Sequence, residues 1–155
     1  MTMLGFKRLI GAGFGSGYSS KVPGTVGSLC ALLPAYFFSW IHPTLGPMLL
    51  TLVFSSLSLW VANACINAWG KDPAKMVIDE CAGQSVVFIS IPFTFTFNDI
   101  WLIFVAFILF RFFDILKPLG INKLQRLKDG YGILMDDLLA GFYGLICLKT
   151  LIFFF

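Results

Sequence analysis

The fold is decided by residues 22–70, VPGTVGSLCALLPAYFFSWIHPTLGPMLLTLVFSSLSLWVANACINAWG, which contain no Asp, Glu, Lys or Arg. This stretch is more than twice as long as the roughly 20 apolar residues that cross a bilayer once. It holds two apolar segments, 24–41 and 45–69, which are separated by the turn His42-Pro43-Thr44. Because proline and glycine in and after this turn interrupt helix, the stretch predicts a helical hairpin in a membrane.

The whole chain shares this apolar character. Hydrophobic residues make up 58% of its 155 residues and charged residues only 12%, against about a quarter charged in soluble domains. The net charge of +3 is too small and too scattered for a nucleic-acid-binding surface. Four cysteines without a C-x-x-C pair and a single histidine also exclude a disulfide framework and a zinc site.

Three further apolar segments follow, at 81–98, 100–116 and 131–155. Asn98-Asp99 separates the first two, which predicts a second hairpin, and Lys117-Pro118 ends it because proline disfavours helix in the residue before it. The segment 81–98 is barely long enough to span the hydrocarbon core and contains Pro92, so a re-entrant segment is the alternative there. The sequence thus predicts an all-α polytopic membrane protein, one domain over residues 1–155, with two helical hairpins and a C-terminal helix in four to five membrane segments.

Basic residues lie on one side of this topology. Folding the chain at the two hairpin apices collects nine of them at one end: Lys7, Arg8, Lys21, Lys71, Lys75, Lys117, Lys123, Arg126 and Lys128. The apices carry neither Lys nor Arg, and Lys149 is the exception near the C-terminus. Because Lys and Arg in short loops set orientation, the basic end is predicted to face the cytoplasm.

Two acidic pairs, Asp79-Glu80 and Asp136-Asp137, interrupt apolar sequence near this basic end. An aspartate at the centre of a membrane helix costs about 2.5–3.5 kcal/mol, so both pairs are expected near the interface or beside partners. Carboxylate oxygens suit Mg²⁺, which usually takes one or two of them together with waters and phosphate. The pairs therefore favour a shared metal site, and solvated helix ends that pair with nearby lysines are the alternative.

Arg111, Asp114 and Lys117 are spaced three residues apart, so they share one stripe of the predicted helix. Arginine offers a bidentate fork to phosphate oxygens and lysine a point charge. The stripe therefore favours a phosphate-binding site, and a self-neutralising ladder of salt bridges is the alternative.

A glycine-rich stretch, residues 13–28, leads into the first long apolar segment. Backbone N–H groups at such a helix start, together with Lys21, Thr25 and Ser28, form a candidate anion cradle. The stretch matches neither the P-loop nor the dinucleotide fingerprint, and close helix packing is the other use of its glycines.

Five blocks of the sequence stand out, in this order: GFGSG at 13–17, PGTVGSL at 23–29, Asp72-Pro73 with VIDE at 77–80 and Gly83, FRFFD at 110–114 with Lys117-Pro118, and GILMDD at 132–137 with Ala140-Gly141. Together and in this order they resemble the bacterial phosphatidylglycerophosphatase A family. The resemblance implies an integral inner-membrane phosphatase that depends on Mg²⁺ and converts phosphatidylglycerophosphate to phosphatidylglycerol and phosphate. The lipid substrate and the bilayer are then its expected partners.

The expected site combines acids that hold the metal with cations that hold the phosphate. The Mg²⁺ ligands and the catalytic base are expected to be Asp79, Glu80, Asp136 and Asp137. The phosphate-binding residues are expected to be Lys21, Thr25, Ser28, Arg111 and Lys117. Asp114 is expected to orient Arg111. The nucleophile is expected to be a water, and a carboxylate of Asp79 or Asp137 is the alternative.

Two other functions stay open from the sequence alone. Intramembrane carboxylates also mark cation pathways, so a small cation-transporting membrane protein is one alternative. The acids lie toward one face, however, and the apolar hairpins offer no charged path to the other side. A phosphatase of another lipid or isoprenoid phosphate is the second alternative.

Overall fold

The computed structural model describes residues 2–71, 73–94, 96–124, 127–128 and 130–154. Within these ranges the chain contains no strand, and helices account for 78%. Its helices are α1 (Met3–Gly11), a 3₁₀ helix (Gly13–Tyr18), α2 (Pro23–Ile41), α3 (Leu45–Trp69), α4 (Ile78–Val87), α5 (Asp99–Leu116), α6 (Ile121–Leu124) and α7 (Gly130–Phe154). The predicted all-α class is confirmed.

The first predicted hairpin is formed by α2 and α3. In the turn between them, His42 Nδ1 accepts hydrogen bonds from the backbone N–H groups of Thr44, at 3.2 Å, and Leu45, at 3.1 Å. The single histidine therefore satisfies N–H groups that the start of α3 leaves without a helical partner. By length and composition α2, α3 and α7 are three helices that can cross a membrane.

Only one arm of the second predicted hairpin forms a long helix. Helix α5 ends before Lys117, whose backbone is left-handed with a φ of 46°. The helix in the segment 81–98 is α4, which ends at Val87. It has only ten residues, about 15 Å of helix. Nine of those ten residues are buried. The segment is apolar because protein surrounds its helix, and the predicted four to five membrane segments are not confirmed.

Helix α4 lies at the centre of the bundle and packs against α2, α3, α5 and α7. Two glycines set its distance from α7. A Cβ atom on Gly83 would lie 2.5 Å from the carbonyl oxygen of Asp137, and one on Gly141 would overlap the carbonyl oxygen of Gly83. Glycine at both positions lets the two backbones approach closely, so the first turn of α4 lies beside the acidic pair of α7.

A polar cluster around Asp99 lies at the end of the bundle opposite to the two acidic pairs. The fully buried Asp99 accepts hydrogen bonds from the hydroxyl of Tyr36, at 2.8 Å, and from the backbone N–H and hydroxyl of Thr94, at 3.0 and 2.9 Å. The backbone N–H of Ser90 donates to the carbonyl of Pro43 at 2.9 Å. These contacts tie the chain after α4 to α2 and to the α2–α3 turn.

Candidate active site

One cavity collects six of the eight charged residues that are expected in the site. It has a volume of about 80 Å³, and the described residues that line it are Pro73, Ala74, Met76, Asp79, Glu80, Asp114, Lys117, Ile133, Asp136 and Asp137. We call it the acidic cavity. All four predicted acids line it, although the two pairs are more than fifty residues apart in sequence. The four aspartates of the lining are at least 92% buried, with 3 to 8% of their surface exposed.

Local packing fixes the first acidic pair at the start of α4. The backbone N–H of Val77 donates to the carbonyl of Gly11 at 2.9 Å, and the side chains of Val77 and Ile78 are fully buried. Asp79 and Glu80 therefore occupy the first turn of the helix, where carboxylates interact favourably with the helix dipole.

Arg111 connects three helices beside the cavity. Its Nη1 lies 2.5 Å from Asp114 Oδ2, 3.5 Å from Glu80 Oε1 and 3.4 Å from Ser28 Oγ. The Ser28 hydroxyl donates in turn to the carbonyl of Gly24 at 2.8 Å. The expected contact between Asp114 and Arg111 is thus present, and the guanidinium is shared with Glu80.

Lys117 forms an ion pair with Asp136 inside the cavity. Burial acts to lower the pKa of Lys117, but the hydrogen bond to Asp136 and the nearby carboxylates outweigh it, so the pKa is raised. The side chain of Lys117 therefore stays an ammonium group. Because Asp136 already carries this partner, it is the least available of the four acids for another cation.

The first acidic pair, by contrast, has oxygens without a hydrogen-bond partner in the described part of the chain: the buried Asp79 Oδ1 and Glu80 Oε2. Burial, followed by the charge of Glu80, raises the pKa of Asp79 well above its usual range. Burial and then Asp114 raise the pKa of Glu80 to about 8, although Arg111 acts to lower it. Buried carboxylates of this kind are stabilised by a cation among them.

The donor set suits a hard metal ion. Among the described residues no three His, Cys, Asp or Glu side chains are grouped closely enough to hold a metal ion by themselves. Magnesium, however, is usually bound by only one or two carboxylates, with waters and substrate phosphate completing its coordination. Asp79 and Glu80 with their unpartnered oxygens, and Asp137 in the same cavity, are the residues that could hold it.

Two predicted phosphate ligands do not line the acidic cavity. Lys21 is exposed and Thr25 half-buried, and neither belongs to the cavity lining. Ser28 is fully buried and reaches the cluster only through Arg111. Asp72 of the sequence blocks and Arg126 of the predicted basic end lie outside the described residues.

Sequence reasoning missed the role of Gly24 in the site. A Cβ atom there would overlap Glu80 Oε1 and lie 3.2 Å from Arg111 Nη1. Glycine at this position therefore allows Glu80 and Arg111 to pack directly against the first turn of α2. The sequence does show Pro23-Gly24 at a helix start, which indicates a close packing position, but it does not indicate which side chain packs there.

The fold and the acidic cavity together define a class: a helical membrane protein with buried carboxylates and cations gathered near one end of its bundle. A family model described as phosphatidylglycerophosphatase A matches residues 9–152, and the chain belongs to this family. It is accordingly an enzyme, a phosphatidylglycerophosphatase by family. The resemblance carried by the five sequence blocks is confirmed.

Three relatives extend this comparison. A protein of Bacteroides thetaiotaomicron, named putative phosphatidylinositol-3-phosphatase, is 39% identical over 153 residues, which cover 92% of this chain and 91% of the relative. The phosphatidylglycerophosphatase A of Haemophilus influenzae is 34% identical, and the match covers 89% of this chain and 83% of the relative. The phosphatidylglycerophosphatase A of Escherichia coli is 31% identical, and the match covers 86% of this chain and 76% of the relative. No solved structure matches the chain significantly.

The contact at Gly24 leads to a first prediction. In Gly24→Ala the new methyl group is expected to push the flexible Glu80 side chain, and Arg111 with it, away from the cavity. Displacements of about 1 Å can cost about 100-fold in rate, so we expect kcat to fall about 10- to 100-fold with little change in the unfolding temperature. Phosphate release and thermal unfolding measure the two effects.

Gly144→Ala is the matched control for this substitution. Gly144 also lies in a helix, and its Cβ would come 3.2 Å from Val87 Cγ2, away from the acidic cavity. This variant is expected to keep wild-type activity. A fully active Gly24→Ala enzyme would show that Glu80 and Arg111 need not be held in this position.

Proposed function

We propose that this chain hydrolyses the terminal phosphomonoester of phosphatidylglycerophosphate to give phosphatidylglycerol and inorganic phosphate. The acidic cavity is the observation that carries the proposal. Two acidic pairs from distant parts of the chain line it together with Lys117, in a protein that matches the family over residues 9–152. Two relatives named phosphatidylglycerophosphatase A, 31% and 34% identical, support the same substrate.

Lys117 is the residue that binds the phosphoryl group in this proposal, because its ammonium group lies in the cavity itself. Arg111 is outside the lining and acts through Glu80 and Asp114, whose carboxylates it holds in place. Fixed charges of this kind need no reorganisation as charge develops on the phosphoryl oxygens, which is why they lower the barrier to phosphoryl transfer.

We propose Mg²⁺ as the cofactor, bound by carboxylates from the set Asp79, Glu80 and Asp137 together with waters and substrate phosphate, while Asp136 stays paired with Lys117. The unpartnered oxygens of Asp79 and Glu80 support this assignment. When bound, the ion supplies Lewis-acid stabilisation of the phosphoryl oxygens and lowers the pKa of a water. The protein contributes the dry, negatively charged cavity that positions the reacting groups.

The cavity carboxylates also provide for proton transfer. A water oxygen attacks phosphorus and the P–O ester bond breaks. The proton from the water passes to a carboxylate and from there to the leaving oxygen, which becomes a hydroxyl of phosphatidylglycerol. A carboxylate of the acidic cavity suits the role of this base, because it lies where the phosphoryl group and the water meet. Direct attack by the carboxylate of Asp79 or Asp137 is the alternative, and single-turnover reaction in oxygen-18 water distinguishes the two by whether label enters phosphate directly.

Helix α5 is a fourth membrane segment in this proposal. It has 18 residues, about 27 Å of helix, and exposes Ile100, Trp101, Phe104, Ile108, Phe112 and Ile115 along its outer side. Two of its three charged residues, Arg111 and Asp114, instead contact each other inside the bundle. The basic connections then face the cytoplasm of a bacterial inner membrane, with the acidic cavity at that end.

Phosphatidylinositol 3-phosphate is a second candidate substrate. The relative from Bacteroides thetaiotaomicron, 39% identical over 92% of this chain, is named a putative phosphatase of that lipid. Both lipids end in a phosphomonoester on a polyol, so the same cavity chemistry would serve either of them.

Phosphate release from phosphatidylglycerophosphate tests the proposal. The purified full chain in vesicles that contain this lipid and Mg²⁺ is expected to release inorganic phosphate and leave phosphatidylglycerol. Asp79→Asn, prepared in the same way, measures the background. Release no faster than that background would contradict the proposed function.

A further inference from the structure

We propose that Phe14 anchors the acidic cavity to the membrane surface. The 3₁₀ helix that carries it, Gly13–Tyr18, inserts the Phe14 ring between lipid headgroups and acyl chains at the basic end of the bundle. The ring thereby fixes the height of the cavity relative to the lipid headgroups. The contact with lipid does not depend on the proposed function, whereas its effect on the reaction rests on it.

Phe14 is held in a strained and exposed conformation. Its backbone φ is 55°, in the left-handed region that bulky residues rarely adopt, and 71% of its surface is exposed. Hydrogen bonds fix this shape, because the backbone N–H groups of Gly15 and Gly17 both donate to the carbonyl of Ala12 at 2.9 Å. Strained residues cluster at functional sites. A fixed turn that leaves a large apolar ring exposed therefore points to a binding surface.

The 3₁₀ helix lies at the membrane interface because it leads directly into a membrane helix. Helix α2, one of the three that can cross a membrane, begins at Pro23 and has 19 residues, about 28 Å of helix. This length matches a hydrocarbon core about 30 Å thick, so the residues just before Pro23 lie at the level of the headgroups. Tyr18 packs edge-on against Trp69, the last residue of α3, with ring centroids 6.0 Å apart. Tyrosine and tryptophan are enriched at this level of membrane proteins.

The surroundings of the ring favour anionic lipid as its partner. Tyr18 and Val22, 53% and 52% exposed, continue the apolar surface from Phe14 toward α2. Lys21 and Lys75 are exposed as well. Interfacial segments bind membranes in this way, with apolar side chains among the acyl chains and lysines at anionic headgroups. The proposed substrate and product are both anionic lipids.

The same 3₁₀ helix packs against the start of α4. A Cβ atom on Gly13 would lie 2.9 Å from Val77 Cγ2, and one on Gly17 would overlap the carbonyl oxygen of Lys75. Val77 precedes Asp79 by two residues. The depth of Phe14 in the membrane therefore sets the height at which the acidic cavity meets the lipid headgroups.

Photo-crosslinking tests the contact with lipid. The full chain with Phe14→p-benzoylphenylalanine is irradiated in vesicles of phosphatidylethanolamine and phosphatidylglycerol, and adducts are identified by mass spectrometry. We expect lipid adducts at position 14 and in Leu33→p-benzoylphenylalanine, the positive control, because Leu33 is 79% exposed in the middle of α2. Lys128→p-benzoylphenylalanine, at an exposed position of the polar connection, is the negative control. A lipid yield at position 14 no higher than at position 128, or crosslinking only to a second copy of the chain, would overturn the proposal.

Two substitutions test the effect on the reaction. Phe14→Asn removes the ring, and asparagine tolerates the left-handed backbone, so the fold should be kept. Phe14→Leu keeps an apolar side chain. With long-chain phosphatidylglycerophosphate in vesicles, we expect Phe14→Asn to lower kcat/KM about 10-fold, the order of the effect of burying one large apolar side chain, and Phe14→Leu to lower it less.

The matched substrate is the short-chain dihexanoyl form of the same lipid, which dissolves in water and reaches the cavity without entering the membrane. Both variants should hydrolyse it as wild type does. Unchanged kcat/KM of Phe14→Asn for the long-chain lipid, or an equal loss for both lipids, would overturn the anchoring role. A wild-type chain that hydrolysed neither lipid would contradict the proposed function, and the crosslinking result would still decide whether Phe14 contacts lipid.

Discussion

The Asp79→Asn variant is expected to release phosphate at least about 100-fold more slowly than wild type while unfolding, with divalent metal removed, at the same or a higher temperature. Asparagine keeps the shape of the side chain but removes a charge from the reaction site, and loss of one such preorganised group typically costs about 10²- to 10³-fold in kcat. Asp79 is 3% exposed and has an unpartnered oxygen, so its charge opposes folding. Removing that charge should therefore not destabilise the protein.

Asp99→Asn is the matched control, because Asp99 is equally buried but lies at the other end of the bundle. It accepts hydrogen bonds from Tyr36 and Thr94, and bonds to a charged group are worth about 1.5–3 kcal/mol. This variant is expected to lose stability and keep its activity. If Asp79→Asn instead kept full activity, or lost stability as Asp99→Asn does, the assignment of Asp79 to the reaction site would be wrong.

Removal of divalent metal is expected to have an effect of similar size. In a chelator, phosphate release should fall at least about 100-fold, since Lewis-acid stabilisation is worth several kcal/mol and each 1.36 kcal/mol changes the rate tenfold. Added Mg²⁺ should restore it. Ca²⁺ should restore it poorly, because it requires six to eight oxygen ligands at longer distances. Undiminished phosphate release in the chelator would contradict a metal-dependent reaction.

The sequence predicted best what depends on local composition. The charge-free run sets the bounds of α2 and α3, and Lys117-Pro118 sets the end of α5. The convergence of the two acidic pairs also followed from topology, because both lie within the first eight residues of helices that start at the basic end. Predicting these features requires no knowledge of which side chains contact one another.

Other features depend on which helix surrounds which, and sequence patterns do not contain that information. An apolar run such as 81–98 reads the same whether its helix faces lipid or, like α4, is enclosed by other helices. Lys21 and Thr25 have suitable chemistry for binding phosphate, yet neither lines the cavity, which depends on how the start of α2 packs against its neighbours. The pairing of Lys117 with Asp136 depends on how α5 and α7 are aligned, so the choice among the four acids required the structure.

The central claim is that acids from α4 and α7 together bind one divalent ion, and direct metal binding tests it without reference to activity. Mn²⁺ binding, followed by electron paramagnetic resonance, can be measured for the wild-type chain, Asp79→Asn, Asp137→Asn and Asp99→Asn in the same detergent. We predict one site per chain in wild type and Asp99→Asn, and strongly weakened binding in both Asp79→Asn and Asp137→Asn. Equal Mn²⁺ affinity in all four proteins would contradict the claim.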